Sequence, residues 1–432
     1  MAEPSRALLD PAEGLLRLMA EFSAIGRAPS GGVTRLAASK EDGIARDRLC
    51  DWLRSQGAEV RFDQVGNIFG IFDLGEGLQE RALFCGSHLD SQPNGGRFDG
   101  TYGVLAAAQA IASLAQGVRG GGLTPHYRYL VVCDWTNEEG ARFQPSLMGS
   151  SSFCGTLDPA AARDVEDGTG ISLASALEEI GYLGSAEGIP RPDRYVEIHV
   201  EQGRILENSK KEIGLVTGCW GARKLRVVFE GEAAHTGPTP MAERKDALVA
   251  ASLLIAAISA YAGQTDPVLH GSVGRMEIAP NSPNVVPDET RLWVELRSGD
   301  ETALGDAETW LLGKLDEIEA ASGCRGRVVA REGREAQPFD AQGLAIAEAA
   351  LSRAGLSHQR LATIAGHDAV TLQTLCPATL LFIPSVAGAT HSPEEFTEDQ
   401  DLVKGLKALG AVLQDLLFFD PATLAETGDS KQ

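Results

Sequence analysis

Two stretches near the N-terminus, 11–24 and 40–56, repeat Leu, Ile and Ala at helical spacing. Arg61–Phe72 then reads as a pair of extended segments broken at Gly66-Asn67, a hairpin-like turn signal. From Arg81 onward strands alternate with helices. Strands are expected over 81–87, 127–133 and 195–200, and a helix over 103–116. Gly168–Gly188 reads as a surface helix with loops. This alternation predicts an α/β domain, a sheet flanked by helices. In such sheets active sites gather beyond the carboxyl ends of the strands.

The pattern changes after Gly218. Arg223–Phe229 alternates as a strand and Ala242–Ala262 is helical. His270–Ile278 and Thr290–Arg297 read as strands joined through the Pro280–Asn284 loop. A helix follows over Glu301–Ala321, capped by Asp300 or a neighbour, and a last strand over Arg325–Ala330. The order β-α-β-β-α-β is that of a ferredoxin-like sandwich. The α/β pattern resumes with a helix at 341–354 and a strand at 378–383, so the smaller domain reads as an insertion. The expected organisation is a first domain built from 1–217 and 333–432, with 218–332 inserted. No internal repeat is evident, and only the last ten or so residues form a polar tail.

Composition narrows the partners. The 432 residues carry a formal charge of -22, which argues against nucleic acid and anionic membranes. No apolar run is expected to reach the ~18 residues of a membrane span. The Met-Ala-Glu-Pro-Ser-Arg start lacks a signal-peptide pattern. Seven cysteines stand singly, with no CxxC pair, as free thiols do in a reducing compartment. A cytoplasmic location is expected.

Four segments end in residues that can bind cations. His88 closes the strand at 81–87, and Asp99 lies in a Gly-flanked turn before a helix. The strand at 127–133 runs into Asp134-Trp-Thr-Asn-Glu-Glu-Gly140, the strand at 195–200 delivers His199, and a late loop carries His391. Imidazoles and carboxylates converging in this way make a ligand set for two-metal hydrolysis. A short Asp at 99 can bridge two cations through its two oxygens. Glu138 and Glu139 point in different directions on an extended backbone. We assign Glu138 as general base and Glu139 as metal ligand, because hydrolysis needs a free carboxylate to move the water's proton. Taken alone, each residue has a plainer reading: a packing histidine, a solvated Glu-Glu pair, an Asp-Gly turn. Their convergence favours the site. His126, His270 and His358 lack such surroundings and read as surface or packing residues.

Six longer motifs carry a resemblance. They are Gly86-Ser-His-Leu-Asp90 through Asp99-Gly100, Trp135–Phe143, Glu197–Gly203, His235–Met241 with Arg244 and Asp246, Pro280–Val286, and Thr390–Glu395. Over about Leu15–Leu417 the chain resembles the zinc-dependent amidase/hydantoinase–carbamoylase family, within the aminoacylase–carboxypeptidase metallohydrolases. That family includes N-carbamoyl-L-amino-acid hydrolases, β-ureidopropionases and allantoate amidohydrolases. The resemblance implies two divalent ions per subunit, Zn first, with Mn, Co or Ni as alternatives. It implies that His88, Asp99 and His199 hold one ion and Asp99, Glu139 and His391 the other, with Glu138 as base. Gln202, His235, Asn284 and Arg297 are then substrate residues, Arg297 gripping a carboxylate through its planar fork. His235 and Asn284 would donate to a developing oxyanion or to that carboxylate. The smaller domain is implied to be a lid and dimerisation module, so a homodimer is expected.

Local alternatives stand beside these roles. Arg297 could salt-bridge Asp300, Asn284 could be a turn residue, and Arg244 and Asp246 fit a structural role at the loop-to-helix entry. His367 suits either support of the metal ligands or packing. The chain departs from the family at Thr363-Ile364, where Ser-Gly is usual, at Glu295, where Asp is commoner, and at Asp288, where Gly is frequent. The implied reaction is cleavage of the ureido C–N bond of an N-carbamoyl amino acid. Allantoate hydrolysis, acyl-amino-acid deacylation or peptidase activity, and metal-dependent binding without turnover are the competing readings.

Overall fold

In the central strands apolar residues run without alternation: Ala-Leu-Phe-Cys-Gly-Ser at 82–87 and Ala-Thr-Leu-Leu-Phe-Ile at 378–383 are buried throughout. Such runs suit parallel strands covered on both faces. The computed structural model describes residues 10–121, 124–185 and 187–418. The expectations for the N-terminal hexapeptide and the last ten residues fall outside that range.

The strands are β1 (Glu59–Phe62), β2 (Ile68–Asp73), β3 (Ala82–Ser87), β4 (Tyr129–Asp134), β5 (Arg194–Val200), β6 (Ile213–Cys219), β7 (Gly221–Glu230), β8 (Leu269–Ala279), β9 (Glu289–Ser298), β10 (Arg325–Arg334), β11 (His358–Thr363) and β12 (Ala378–Ile383). The longer helices are α1 (Pro11–Phe22), α2 (Lys40–Ser55), α3 (Thr101–Arg119), α4 (Ala247–Thr265), α5 (Glu301–Ser322), α6 (Ala341–Arg353) and α7 (Asp399–Phe418). The chain divides into two compact units. The first runs to Thr217 and takes up Phe339–Leu361 and the chain from Gly366; the second comprises Gly218–Pro338 and Ala362–Ala365.

The first unit holds a mixed sheet in the order β1-β2-β4-β3-β5-β12-β6, with β11 also on β6. Pairing among β4, β3, β5 and β12 is parallel, and antiparallel at both flanks. Parallel neighbours share a polarity, so Ser87, Asp134 and Val200 end at the same edge. Helix α3 packs on β3, β4 and β5 and against α1 and α7. This is the mixed α/β sheet flanked by helices that the pattern predicts. The turn between β1 and β2 is held by Asp63, whose carboxylate accepts the Val65 and Asn67 amides at 3.0 Å each.

The second unit is an antiparallel sheet in the order β10-β7-β9-β8. Counted by position in the unit this is fourth-first-third-second, the ferredoxin-like arrangement. Helices α4 and α5 cover one face around Leu225, Val227, Phe229, Leu254, Leu292 and Leu311. Asp300 accepts the Thr302 amide at 2.8 Å and so caps α5. Helix α4 starts five residues later than the expected Ala242. Asp246 accepts the Leu248 and Val249 amides, and Met241–Glu243 forms a separate short turn. By length and composition α4 is apolar enough to cross a membrane, at a mean hydropathy of 1.7. That corrects the expectation that no stretch reaches this length. Its Ala247, Ala250, Ala251, Leu254 and Ile258 belong to the core of the unit.

Candidate metal centre

The edge where β3, β4 and β5 end gathers the candidate residues. His88 follows β3 directly, and its Nδ1 lies 2.9 Å from the Asp90 carbonyl. His199, on β5, has its Nδ1 2.9 Å from the Val200 carbonyl. In the neutral ring the nitrogen facing a carbonyl carries the hydrogen, so each Nε2 keeps its lone pair and faces inward, free to bind a cation. The two rings stack at 5.8 Å between centroids. Gly100 explains the Asp-Gly pair: its φ is +61°, and a Cβ there would come within 2.3 Å of the His88 ring.

Asp99 lies between two donor groups. Its Oδ1 is 3.0 Å from His199 Nε2 and 3.6 Å from His88 Nε2. Its Oδ2 is 3.4 Å from His391 Nε2, and Glu139 Oε2 is likewise 3.4 Å from that nitrogen. In each trio, His88–Asp99–His199 and Asp99–Glu139–His391, one ligand atom per residue lies within 4.8 Å of the others. One oxygen of this carboxylate faces the His88 and His199 rings and the other faces His391.

Glu138 and Glu139 diverge, but through a turn instead of the extended backbone expected. Asn137 takes a left-handed φ of +56° and donates to the Phe143 and Pro145 carbonyls. The Glu138 and Glu139 amides are donated to the Asp90 carboxylate at 3.1 and 3.3 Å. Glu138 Oε2 then stands 3.6 Å from His88 Nε2, while Glu139 reaches toward His391.

The electrostatics suit cations. Burial and the nearby Asp368 and Glu139 raise Glu138 well above the ordinary carboxyl range. Burial with Asp99 and Asp90 does the same to Glu139. Burial pushes His88 down to about 4. At His199 burial acts in the same sense, but the Asp99 charge outweighs it and lifts the ring to about 9. Buried carboxylates in this number are costly unless paired or bound to metal. The mixed imidazole and carboxylate set, with its nitrogens already oriented, fits divalent ions.

Several supporting residues were given no role by the sequence reasoning. Gln92 donates its amide N–H and its side-chain NH2 to the two carboxylate oxygens of Glu139, at 3.2 and 2.9 Å. Below the site Arg46 binds Asp42 at 2.7 Å, the Gly66 carbonyl at 2.6 Å and the Thr136 hydroxyl at 3.1 Å. Glu395 accepts the Phe98 and Asp99 amides. His367, for which the sequence leaves both support of the metal ligands and packing open, lies edge-on against His199 at 4.7 Å between centroids.

The expected substrate residues divide between the units. Gln202 belongs to the first and donates its side-chain NH2 to Asp99 Oδ2 at 2.9 Å. His235, Asn284 and Arg297 belong to the second unit. His235 pairs with Val285 in a two-residue ladder, and the Thr236 amide is donated to the Asn284 carbonyl, so 235 and 284 are neighbours. Arg297 donates to Glu295 at 2.9 Å and to the Ile364 carbonyl at 2.8 Å, so its ion-pair partner is Glu295 and not Asp300. Two of the three departures from the family pattern, Glu295 and Ile364, are thus contacts of one arginine. Arg244 donates to the Thr236 and Thr239 carbonyls and fixes that loop.

The chain is similar to known proteins along most of its length. The chain is 40% identical over 403 residues to a hydrolase of Mycolicibacterium smegmatis, covering 92% of this chain and 91% of the relative. It is 34% identical over 430 residues to an N-carbamoyl-L-amino-acid amidohydrolase of Rhizobium meliloti, with 99% of both covered. It is 33% identical to an allantoate amidohydrolase of Bacillus subtilis, covering 91% of this chain and 95% of that one. A crystal structure of a hydantoinase/carbamoylase-family amidase from Burkholderia vietnamiensis superposes with a TM-score of 0.85 at 33% identity, covering 95% and 98% of the two chains. The pattern of peptidase family M20/M25/M40 matches residues 84–415, and the chain belongs to that family of metallohydrolases.

Proposed function

We propose that this hydrolase cleaves the ureido C–N bond of an N-carbamoyl amino acid, giving the amino acid, carbon dioxide and ammonia. The observation that carries the reading is Asp99, with one oxygen toward each donor trio and Glu138 beside the first. His88, Asp99 and His199 would hold one divalent ion, and Asp99, Glu139 and His391 a second. Zn is the first expectation, with Mn, Co or Ni able to replace it. Such ions supply a water of lowered pKa and polarise the scissile carbonyl. Glu138 accepts the attacking water's proton and delivers it to the leaving nitrogen. Arg297, steadied by Glu295 and Ile364, would grip the substrate carboxylate, Gln202 would bind substrate, and His235 and Asn284 would donate to the developing oxyanion or to that carboxylate. Allantoate, another ureido acid, is the second candidate substrate, supported by the Bacillus subtilis relative's name.

A homodimer through the second unit is part of the proposal. Val249 and Leu253 on α4 are 51% and 47% exposed, and Met276 is exposed on the edge strand β8. A reducing, cytoplasmic setting fits seven unbridged cysteines.

The test is ammonia release by metal-loaded protein from N-carbamoyl-L-amino acids, N-carbamoyl-β-alanine and allantoate. Chelation should abolish turnover, and added divalent ions should restore it. Glu138→Gln should lower kcat by about 10²- to 10⁴-fold with metal content unchanged. Full turnover by that variant would overturn the assignment of the base. Turnover of an acyl-amino acid or peptide in preference to every ureido acid would overturn the substrate class.

A further inference from the structure

The loop that carries His391 also bears a buried acid, and the fold uses it across 296 residues of sequence. Glu395 is only 4% exposed. Its Oε1 accepts the backbone amides of Phe98 at 2.9 Å and Asp99 at 3.0 Å. Among the described residues its Oε2 has no hydrogen-bond partner. Phe396 packs edge-on against Phe98 at 6.0 Å, and the Arg97 guanidinium lies over both rings. The Thr390 hydroxyl reaches Asp99 Oδ2 at 3.3 Å. Gly96 leaves room for the carboxylate, since a Cβ there would lie 1.9 Å from the Glu395 carboxyl carbon. The loop is itself closed, because the Val386 amide is donated to the Phe396 carbonyl.

Two donors of the second trio, Asp99 and His391, therefore come from segments distant in sequence, and one buried carboxylate ties those segments together. We propose that Glu395 is a positioning residue that fixes the spacing of Asp99 and His391 and thereby the retention of the second divalent ion. The inference rests on reading those two residues as ligands. Glu395 touches neither substrate nor ion in this account. It acts through the backbone amides that orient the Asp99 turn, as residues supporting metal ligands do elsewhere.

Cobalt(II) titration of the full-length, chelator-stripped protein tests this, read by calorimetric stoichiometry and the visible absorption spectrum. Glu395→Ala should keep one ion and weaken the other by about 10- to 100-fold. Gly96→Ala, which displaces the carboxylate without removing it, should have the same effect. Glu395→Gln keeps an oxygen that accepts both amides and should restore the parent stoichiometry and spectrum. If Glu395→Ala and Gly96→Ala both bind two ions with the parent spectrum, while His391→Ala loses one, the positioning role is wrong and the ligand reading stands. If His391→Ala also binds two ions unchanged, the ligand reading itself fails. Should Glu395→Ala not fold, as judged by circular dichroism, Gly96→Ala and the Gln variant decide the question in the same way.

Discussion

Replacing Arg46 by Met tests how the acidic floor of the metal centre is stabilised. Met approximates the volume of Arg, so the perturbation is chiefly loss of charge and donors. Arg46 is fully buried, 2.7 Å from Asp42 and 3.9 Å from Asp134, and both acids are buried as well. Its remaining donors serve Gly66 and Thr136. Without the cation the orphaned acids must take up protons. Burial already pushes Asp134 up to about 7, so its proton is cheap near neutrality. A second aspartate protonated at about pH 7, roughly three units above the ordinary value of ~3.9, costs about 4 kcal/mol. Two lost hydrogen bonds add about 1 kcal/mol each. The expected loss is therefore about 6 kcal/mol, a little above the ~3–5 kcal/mol for broken buried pairs generally. The sign with pH follows. At about pH 5 protonating that aspartate costs only about 1.5 kcal/mol, so the penalty should shrink to about 3 kcal/mol. Urea unfolding followed by circular dichroism at both pH values measures this. Adding Asp42→Asn to Arg46→Met should recover more than half of the loss. A variant within about 1 kcal/mol of the parent near neutrality, or a penalty that grows on acidification, would refute the argument.

Three further outcomes are expected. Glu138 and Glu139 are held well above the ordinary range, so metal loading should expel protons; calorimetry of Zn binding in buffers of different ionisation enthalpy should show release, and identical heats in all buffers would contradict it. Arg297→Ala should raise KM by about 10- to 100-fold with a smaller change in kcat, and a loss confined to kcat would remove Arg297 from carboxylate binding. Leu253→Asp should shift the protein toward monomer in analytical ultracentrifugation, and an unchanged sedimentation coefficient would place any dimer contact elsewhere.

Local pattern carried the expectations a long way, and its misses have physical causes. The order of elements in the second unit is legible because each strand alternates and each helix repeats over a long enough window. β6, Ile-Gly-Leu-Val-Thr-Gly-Cys, is interrupted by two glycines, and β11, His-Gln-Arg-Leu-Ala-Thr, holds only two apolar residues, so neither run reads as a strand. The Glu295–Arg297 pair was within reach, since residues two apart on a strand share a face. The turn at Asn137 was not, because the left-handed residue is set by the Phe143 and Pro145 carbonyls that its side chain meets.

By itself, then, the sequence determined the strands whose ends bear His88 and His199 and the caps at Asp246 and Asp300. These are decided by bonds and sterics within a few residues of chain. Which arginine neutralises Asp42, which amide restrains Glu139, and which acid draws the His391 loop onto Asp99 were decided only in three dimensions. Charge and hydrogen bonding act through space between segments as far as 297 residues apart, and no local spacing records which of many acids will meet which donor.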